Sequence, residues 1–123
     1  MSEHRLDPER YWIPEATWSL VDPGRSPRGR TLAVGTTVVR ALETAVTGPL
    51  TSSSLTGWSD LLIAPPFEFR VVDALLTNFH LPSSSLLALV AAFAGRELTL
   101  AAYRAAVEAR YRFYSYGDAM LIL

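Results

Sequence analysis

The chain has 123 residues, of which 50% are hydrophobic and 19% are charged, so its composition is that of one folded domain and excludes a disordered tail. With a formal net charge of −1, the chain as a whole is not basic, which excludes a protein that attracts nucleic acid through its overall charge. The chain has no cysteine and only two histidines, so we expect no disulfide, no thiolate nucleophile and no metal site.

The sequence carries no targeting or membrane-spanning signal, and we expect a cytoplasmic protein with no membrane partner. Residues 1–5 are polar and are not followed by the apolar stretch of a signal peptide. The longest apolar run covers residues 86–95, which is about half of the roughly 20 residues that cross a bilayer.

Strand and helix patterns alternate along the chain. Residues 1–29 are rich in proline and predict an irregular leading segment with a short helix near 15–21. Residues 30–123 predict an α/β core that consists of strands over 31–35, 60–64, 69–78 and 119–123 and helices over 38–46, 86–94 and about 100–114. The expected fold class is therefore α/β, with a partly parallel sheet and flanking helices.

The first place where polar residues interrupt the apolar pattern is Gly35-Thr36-Thr37, at the start of a predicted helix. A glycine and two hydroxyls at a helix N-terminus can bind an anion. The same residues can also serve as an ordinary N-cap, in which Thr36 or Thr37 accepts from the first free N–H groups. Arg40 and Glu43 follow off the apolar stripe of this helix.

The second place is Asp73, which falls inside the predicted strand 69–78. A carboxylate in a buried strand must be paired, hydrogen-bonded or protonated. An ion pair with Arg40 or Arg70 would satisfy it. A carboxylate held for a cationic substrate or for proton transfer is the functional alternative.

Two further polar groups follow predicted strands or turns. Asn78 and His80 are two residues apart, so in an extended chain they face the same way, after a strand and before a helix. Ligands bind at the carboxyl ends of strands in α/β sheets, although both residues can equally satisfy turn and core contacts. The turn Tyr116-Gly117-Asp118 also carries a carboxylate, which is most often structural in such a place.

Three segments together resemble a known family. Residues 30–43 (RTLAVGTTVVRALE), 72–82 (VDALLTNFHLP) and 111–120 (YRFYSYGDAM) are similar to the S-adenosylmethionine:tRNA ribosyltransferase-isomerases of queuosine biosynthesis. The family enzymes are longer, with an α/β catalytic domain and a second, β-barrel-like domain. The resemblance implies that residues 1–123 are the C-terminal part of the catalytic domain.

A fourth segment resembles the family less closely. Residues 4–9 read HRLDPE, where the family pattern is His-x-Met-His-x-Glu. His4 and Glu9 match this pattern, but Asp7 stands in place of the second histidine.

The resemblance implies a tRNA modification by a transferase and isomerase. The ribosyl part of S-adenosylmethionine moves to 7-aminomethyl-7-deazaguanine in tRNA and rearranges to give epoxyqueuosine. S-adenosylmethionine is then a substrate, and no cofactor is expected. The implied catalytic residues are His80, Asp73 and Asp118, and the implied substrate-binding residues are Gly35, Thr36, Thr37, Arg40, Asn78, Tyr116, Arg112, His4 and Glu9.

The same resemblance limits what the chain is expected to do alone. The implied partners are tRNA, S-adenosylmethionine and the missing N-terminal part of the enzyme, and the isolated chain is expected to be weakly active or inactive. Apolar strands without neighbours also predict homo-oligomers. The alternative is a non-catalytic remnant that binds nucleotide or tRNA.

Overall fold

The computed structural model describes residues 8–24, 29–47, 55–79, 85–111 and 118–123. It confirms the α/β class predicted from the alternation of strand and helix patterns. The elements in chain order are β1 (Glu9–Trp12), α1 (Glu15–Val21), β2 (Leu32–Val34), α2 (Thr36–Ala45), β3 (Thr56–Ser59), β4 (Ala74–Asn78), α3 (Ser85–Ala94), α4 (Arg96–Glu108) and β5 (Ala119–Ile122).

The central sheet has three described strands in the order β2-β4-β5. β2 and β4 are parallel, with Ala33 opposite Leu75, whereas β4 and β5 are antiparallel, with Asn78 opposite Ala119. The prediction of a partly parallel sheet is confirmed. This arrangement brings the carboxyl ends of β2 and β4 and the amino end of β5 to one edge of the sheet.

A second, two-stranded sheet pairs β1 with β3, antiparallel, from Glu9 opposite Ser59 to Trp12 opposite Thr56. The sequence patterns do not predict this sheet, since residues 1–29 are expected to be irregular. The ring of Tyr11 lies against Gly57, and burial raises the pKa of its phenol.

Two predicted strands differ from the observed ones. Residues 60–64 form no strand, although Ile63 is buried in the core. An apolar run indicates that its side chains are buried, but it does not indicate that its backbone pairs with another strand. The predicted strand 69–78 is a strand only from Ala74 onward.

The core lies on one face of the three-stranded sheet. Ala33 and Leu75 point into it from β2 and β4, and α2 and α3 cover them. The buried side chains that these two helices contribute to the core are Val39, Leu42, Ala45, Leu89 and Val90. The predicted helix over 86–94 is confirmed, and burial explains why it is apolar nearly all round.

The last helix differs most from its prediction. α4 ends at Glu108, and Arg110 follows with a positive φ of 61°. Thr99, Tyr103 and Ala106 form the buried face of α4. A spacing of three and four residues from Leu100 through Tyr103 predicts that Val107 joins this face, but Val107 is exposed. Tyr114 lies outside the described residues.

Within the described part of the chain, no single helix is long and apolar enough to cross a membrane. Only α3 and α4 taken together reach that length and apolar composition, and a bend of 118° separates these two helices.

Candidate functional site

An open cleft of about 350 Å³ lies where β2 and β4 end and α2 begins. This is the edge of the sheet at which α/β proteins bind ligands. The cleft is lined by Val34, Gly35, Thr36, Thr37, Leu76, Thr77, Asn78 and Ala119. Four of the residues predicted to bind substrate, Gly35, Thr36, Thr37 and Asn78, therefore lie together.

Gly35 makes the turn from β2 into α2. Its φ of 97° favours glycine, while a Cβ placed there would meet no atom within 4 Å, so the backbone conformation and not space requires the glycine. Its N–H donates to the carbonyl of Leu76 over 2.8 Å, which joins the turn to β4. The start of α2 is thereby fixed beside the end of β4.

Thr36 and Thr37 lie inside the first turn of α2 and do not cap it. The N-cap residue is Gly35, and no side chain makes a cap hydrogen bond, so the predicted capping role of the two threonines is wrong. Thr36 is buried and Thr37 is exposed. The first turn of a helix leaves backbone N–H groups without intrahelical partners, and here that turn borders the cleft.

Asn78 and Asp118 lie at the same edge of the sheet. Asn78 is the exposed last residue of β4, and its strand partner is Ala119. Asp118 directly precedes Ala119 and is half-buried. The predicted catalytic carboxylate of Asp118 is thus one residue from the lining of the cleft.

Asp73 lies at the opposite end of β4 from Asn78. Five residues of extended strand separate their positions by roughly 17 Å. The Asp73 carboxylate accepts a hydrogen bond of 2.7 Å from the backbone N–H of Thr31, and its backbone carbonyl accepts one of 3.3 Å from Arg30. Asp73 therefore joins the beginnings of β2 and β4, and it does not line the cleft to which Asn78 belongs.

Arg40 and Glu9, both predicted to bind substrate, are paired with each other. Nη1 of Arg40 lies 2.5 Å from Oε1 of Glu9, and Nη2 and Nε donate to the carbonyls of Ser59 and Leu61 over 3.1 and 3.2 Å. The Arg40 side chain is buried. These contacts hold the β1–β3 sheet to α2, and the predicted ion pair of Arg40 with Asp73 is not made.

Glu43 is a buried carboxylate that the sequence patterns assign to an exposed face. Only 2% of Glu43 is exposed, and its two oxygens accept hydrogen bonds of 3.0 Å from the backbone N–H groups of Arg70, Val71 and Val72. The N–H donors lie 27 to 29 positions further along the chain, so no local pattern indicates them. Arg70 adds a hydrogen bond of 2.8 Å from Nη1 to the carbonyl of Val46.

Four predicted site residues lie outside the described residues. These are His4, His80, Arg112 and Tyr116. Two of them are close in sequence to the cleft, since His80 is two positions beyond Asn78 and Tyr116 is two positions before Asp118.

Comparison with known proteins places these observations in a family. A family model described as "Queuosine biosynthesis protein" matches residues 1–122. The S-adenosylmethionine:tRNA ribosyltransferase-isomerase of Aquifex aeolicus is 59% identical over 123 residues, which are 100% of this chain and 35% of the relative. The enzyme of the same name from Sorangium cellulosum is 58% identical, and the match covers 97% of this chain and 32% of the relative.

A solved structure agrees with the sequence relatives. The crystal structure of S-adenosylmethionine tRNA ribosyltransferase from Thermotoga maritima superposes with a TM-score of 0.72 and 60% identity over 77% of this chain and 34% of that one. The chain thus spans about a third of the length of the proteins that it matches. Because the family model covers nearly the whole chain, this protein belongs to the queuosine biosynthesis protein family.

Proposed function

We propose that this chain supplies one part of the active site of an S-adenosylmethionine:tRNA ribosyltransferase-isomerase, with S-adenosylmethionine and tRNA as substrates. The observation that carries the proposal is the gathering of Gly35, Thr36, Thr37 and Asn78 around one cleft at the carboxyl ends of two parallel strands. The chain spans about a third of its relatives, so we expect the remaining part of the family protein to be needed for turnover.

The lining of the cleft suits an anionic or hydroxylated part of a ligand. The first turn of α2 offers backbone N–H groups and the positive end of the helix dipole, to which the carboxylate of S-adenosylmethionine is complementary. The hydroxyls of Thr36 and Thr37 and the amide of Asn78 add donors and acceptors for ribose or adenine.

The implied reaction needs a base and an acid near the cleft. The sulfonium acidifies the neighbouring 5′ C–H, and a base removes that proton. Adenine leaves with a proton supplied to it, and methionine leaves with the sulfur. We assign these duties to His80 and Asp118, each of which is within two residues of a residue that lines the cleft. Two residues of extended chain span only about 7 Å. Asp73 is not assigned a step, because its carboxylate lies at the other end of the strand.

Tyr116 and Arg112 are proposed to contact substrate, with Arg112 on the tRNA backbone. A guanidinium binds phosphate oxygens in a forked geometry, which positions RNA without reading its sequence. Arg40 is not proposed for this task, because Glu9 and two carbonyls already accept its hydrogen bonds.

The test uses a chimera in which this chain replaces the matching segment of the Aquifex aeolicus relative. Titration calorimetry with S-adenosylmethionine should show binding to the chimera and at most weak binding to the chain alone. Thr37→Val and Asn78→Ala should each weaken binding about tenfold, since each removes a hydrogen bond worth about 1.4 kcal/mol.

Thr17→Val is the matched control, because Thr17 is exposed on α1 and does not line the cleft. Its affinity should match that of the unsubstituted chimera. Unchanged affinity in both cleft variants would mean that S-adenosylmethionine does not bind in this cleft. Binding without any tRNA-dependent release of adenine would favour the non-catalytic alternative.

A further inference from the structure

Among the described residues, one face of the three-stranded sheet carries exposed apolar side chains. Side chains alternate along each strand, so Ala33 and Leu75 enter the core while their neighbours point the other way. On the outer side, Leu32, Val34 and Leu121 are 51%, 61% and 54% exposed. We call the outward row of Leu32, Val34, Leu76 and Leu121 the open face.

An exposed face is unusual for a sheet that contains a parallel pair. Parallel strands are found almost only where both faces are covered, because both faces carry apolar side chains. Within the described part of the chain, buried residues of α1, α2 and α3 share one core with Ala33 and Leu75, and α4 packs against Phe79 and Met120. Because Leu32, Val34 and Leu121 stay more than half exposed, the described residues supply no complete outer layer on this face.

The open face continues into a groove on the side of β5 away from β4, where no described strand pairs with β5. The groove holds about 270 Å³ between β5 and the helices α3 and α4, and Leu121 belongs to both surfaces. Thr99 lies in its wall, and the hydroxyl of Thr99 is buried with no hydrogen-bond partner among the described residues. A buried hydroxyl without a partner costs free energy, which a polypeptide laid into the groove would recover through its backbone.

We infer that the open face and the β5 groove are the docking surface for the part of the family protein that this chain does not span. The chain covers 35% of the Aquifex aeolicus relative, so the larger part of a family member is available to form the missing layer. The open face carries no charged side chain, so its partner must present an apolar helix or sheet surface. The inference rests on the proposed function in that both require this remainder. Val34 and Leu76 of the open face also line the cleft, so the docked part would border the cleft.

Cysteine labelling tests the inference directly, because the chain has no cysteine of its own. Leu32→Cys and Leu121→Cys place a thiol on the open face, and Leu20→Cys on α1 is the control, since Leu20 is 62% exposed. Each variant is prepared as the chain alone and within the Aquifex aeolicus chimera. Peptide mass spectrometry then gives the labelling rate of each site with a soluble maleimide.

The expected result is labelling at least tenfold slower in the chimera at positions 32 and 121, with a change below twofold at position 20. Equal labelling rates in the chain alone and in the chimera would overturn the inference. Equal protection of positions 20, 32 and 121 in the chimera would also overturn it. A chimera that stays unfolded while the natural relative folds would also overturn it.

A second copy of the chain is the rival occupant of the open face. It would overturn the inference if positions 32 and 121 became protected with rising concentration of the chain alone and stayed open in the chimera. The experiment contains neither S-adenosylmethionine nor tRNA. Protection in a chimera that fails to bind S-adenosylmethionine would therefore reject the proposed function and leave the docking surface intact.

Discussion

The two ends of the parallel pair β2–β4 use polar residues in opposite ways. At the amino end, the carboxylates of Asp73 and Glu43 accept hydrogen bonds from four backbone N–H groups. At the carboxyl end, Thr37 and Asn78 are exposed beside an open cleft. A polar residue in an apolar segment therefore serves folding at one end of the same strands and is available to a ligand at the other.

The direction of α2 explains this division. A helix that follows a parallel strand runs back along the sheet, so its N-terminus stays at the carboxyl end of β2. Its later residues, including Glu43, reach the segment that leads into β4. The N–H groups of residues 70–72 enter no strand ladder, and the Glu43 carboxylate replaces that ladder.

The largest expected effect comes from Glu43→Ala. Three backbone N–H groups lose their acceptor, and a buried unsatisfied donor costs about 1–3 kcal/mol. Urea unfolding should show a loss of at least about 3 kcal/mol or no folded state at all. Glu108→Ala is the control, because Glu108 is exposed on α4, and it should change stability by under about 0.5 kcal/mol.

Arg40→Met should cost about 2 kcal/mol in the free energy of unfolding. The carbonyls of Ser59 and Leu61 lose charged donors, while the half-exposed Glu9 can return to water. Arg104→Met, at an exposed position on α4, is the matched control. A loss as small as that of the control would mean that Arg40 does not hold the two sheets together.

Asp73→Asn should cost about 1 kcal/mol, because an amide oxygen accepts more weakly than a carboxylate from the N–H of Thr31. Affinity of the chimera for S-adenosylmethionine should stay within twofold. A large drop in affinity with little change in the unfolding midpoint would show that Asp73 serves ligand binding. The two ends of the strands would then not differ in the way described.

The smallest effect on stability is expected from Asn78→Ala, at under about 0.5 kcal/mol, because the side chain is exposed. Its effect should appear only with ligand present. Saturating S-adenosylmethionine should raise the Tm of the chimera, and the variant should need about tenfold more ligand for the same rise. A destabilised variant with unchanged ligand response would assign Asn78 to folding.

The sequence indicates most of the central sheet and the cleft, and it misses contacts between distant segments. Apolar runs predict β2 and β5, and the glycine and threonines after β2 predict the start of the cleft. β1 has no apolar alternation of its own and exists because β3 pairs with it. Treating residues 69–78 as one strand misplaces Asp73 in the predicted site, because β4 begins only at Ala74.

Buried charges are the clearest failure of local patterns. Glu43 and Arg40 lie off the apolar stripe of α2, which is where exposed charges are expected. Both are buried because the segment before β4 and the loop after β3 supply backbone partners. Such partners depend on how separate segments come together, and no spacing along one helix records them.

The strand pairings also bear on how the chain folds. The shortest separation between paired residues is that of Asn78 and Ala119, and β1 and β2 likewise pair with strands more than 40 positions away. None of the described strands forms a local hairpin with its neighbour in sequence. Long loops must close before any of these pairings gains free energy, so we expect slow folding for a chain of this length. During synthesis, residues 119–122 must also emerge from the ribosome before β5 can pair with β4 and complete the central sheet.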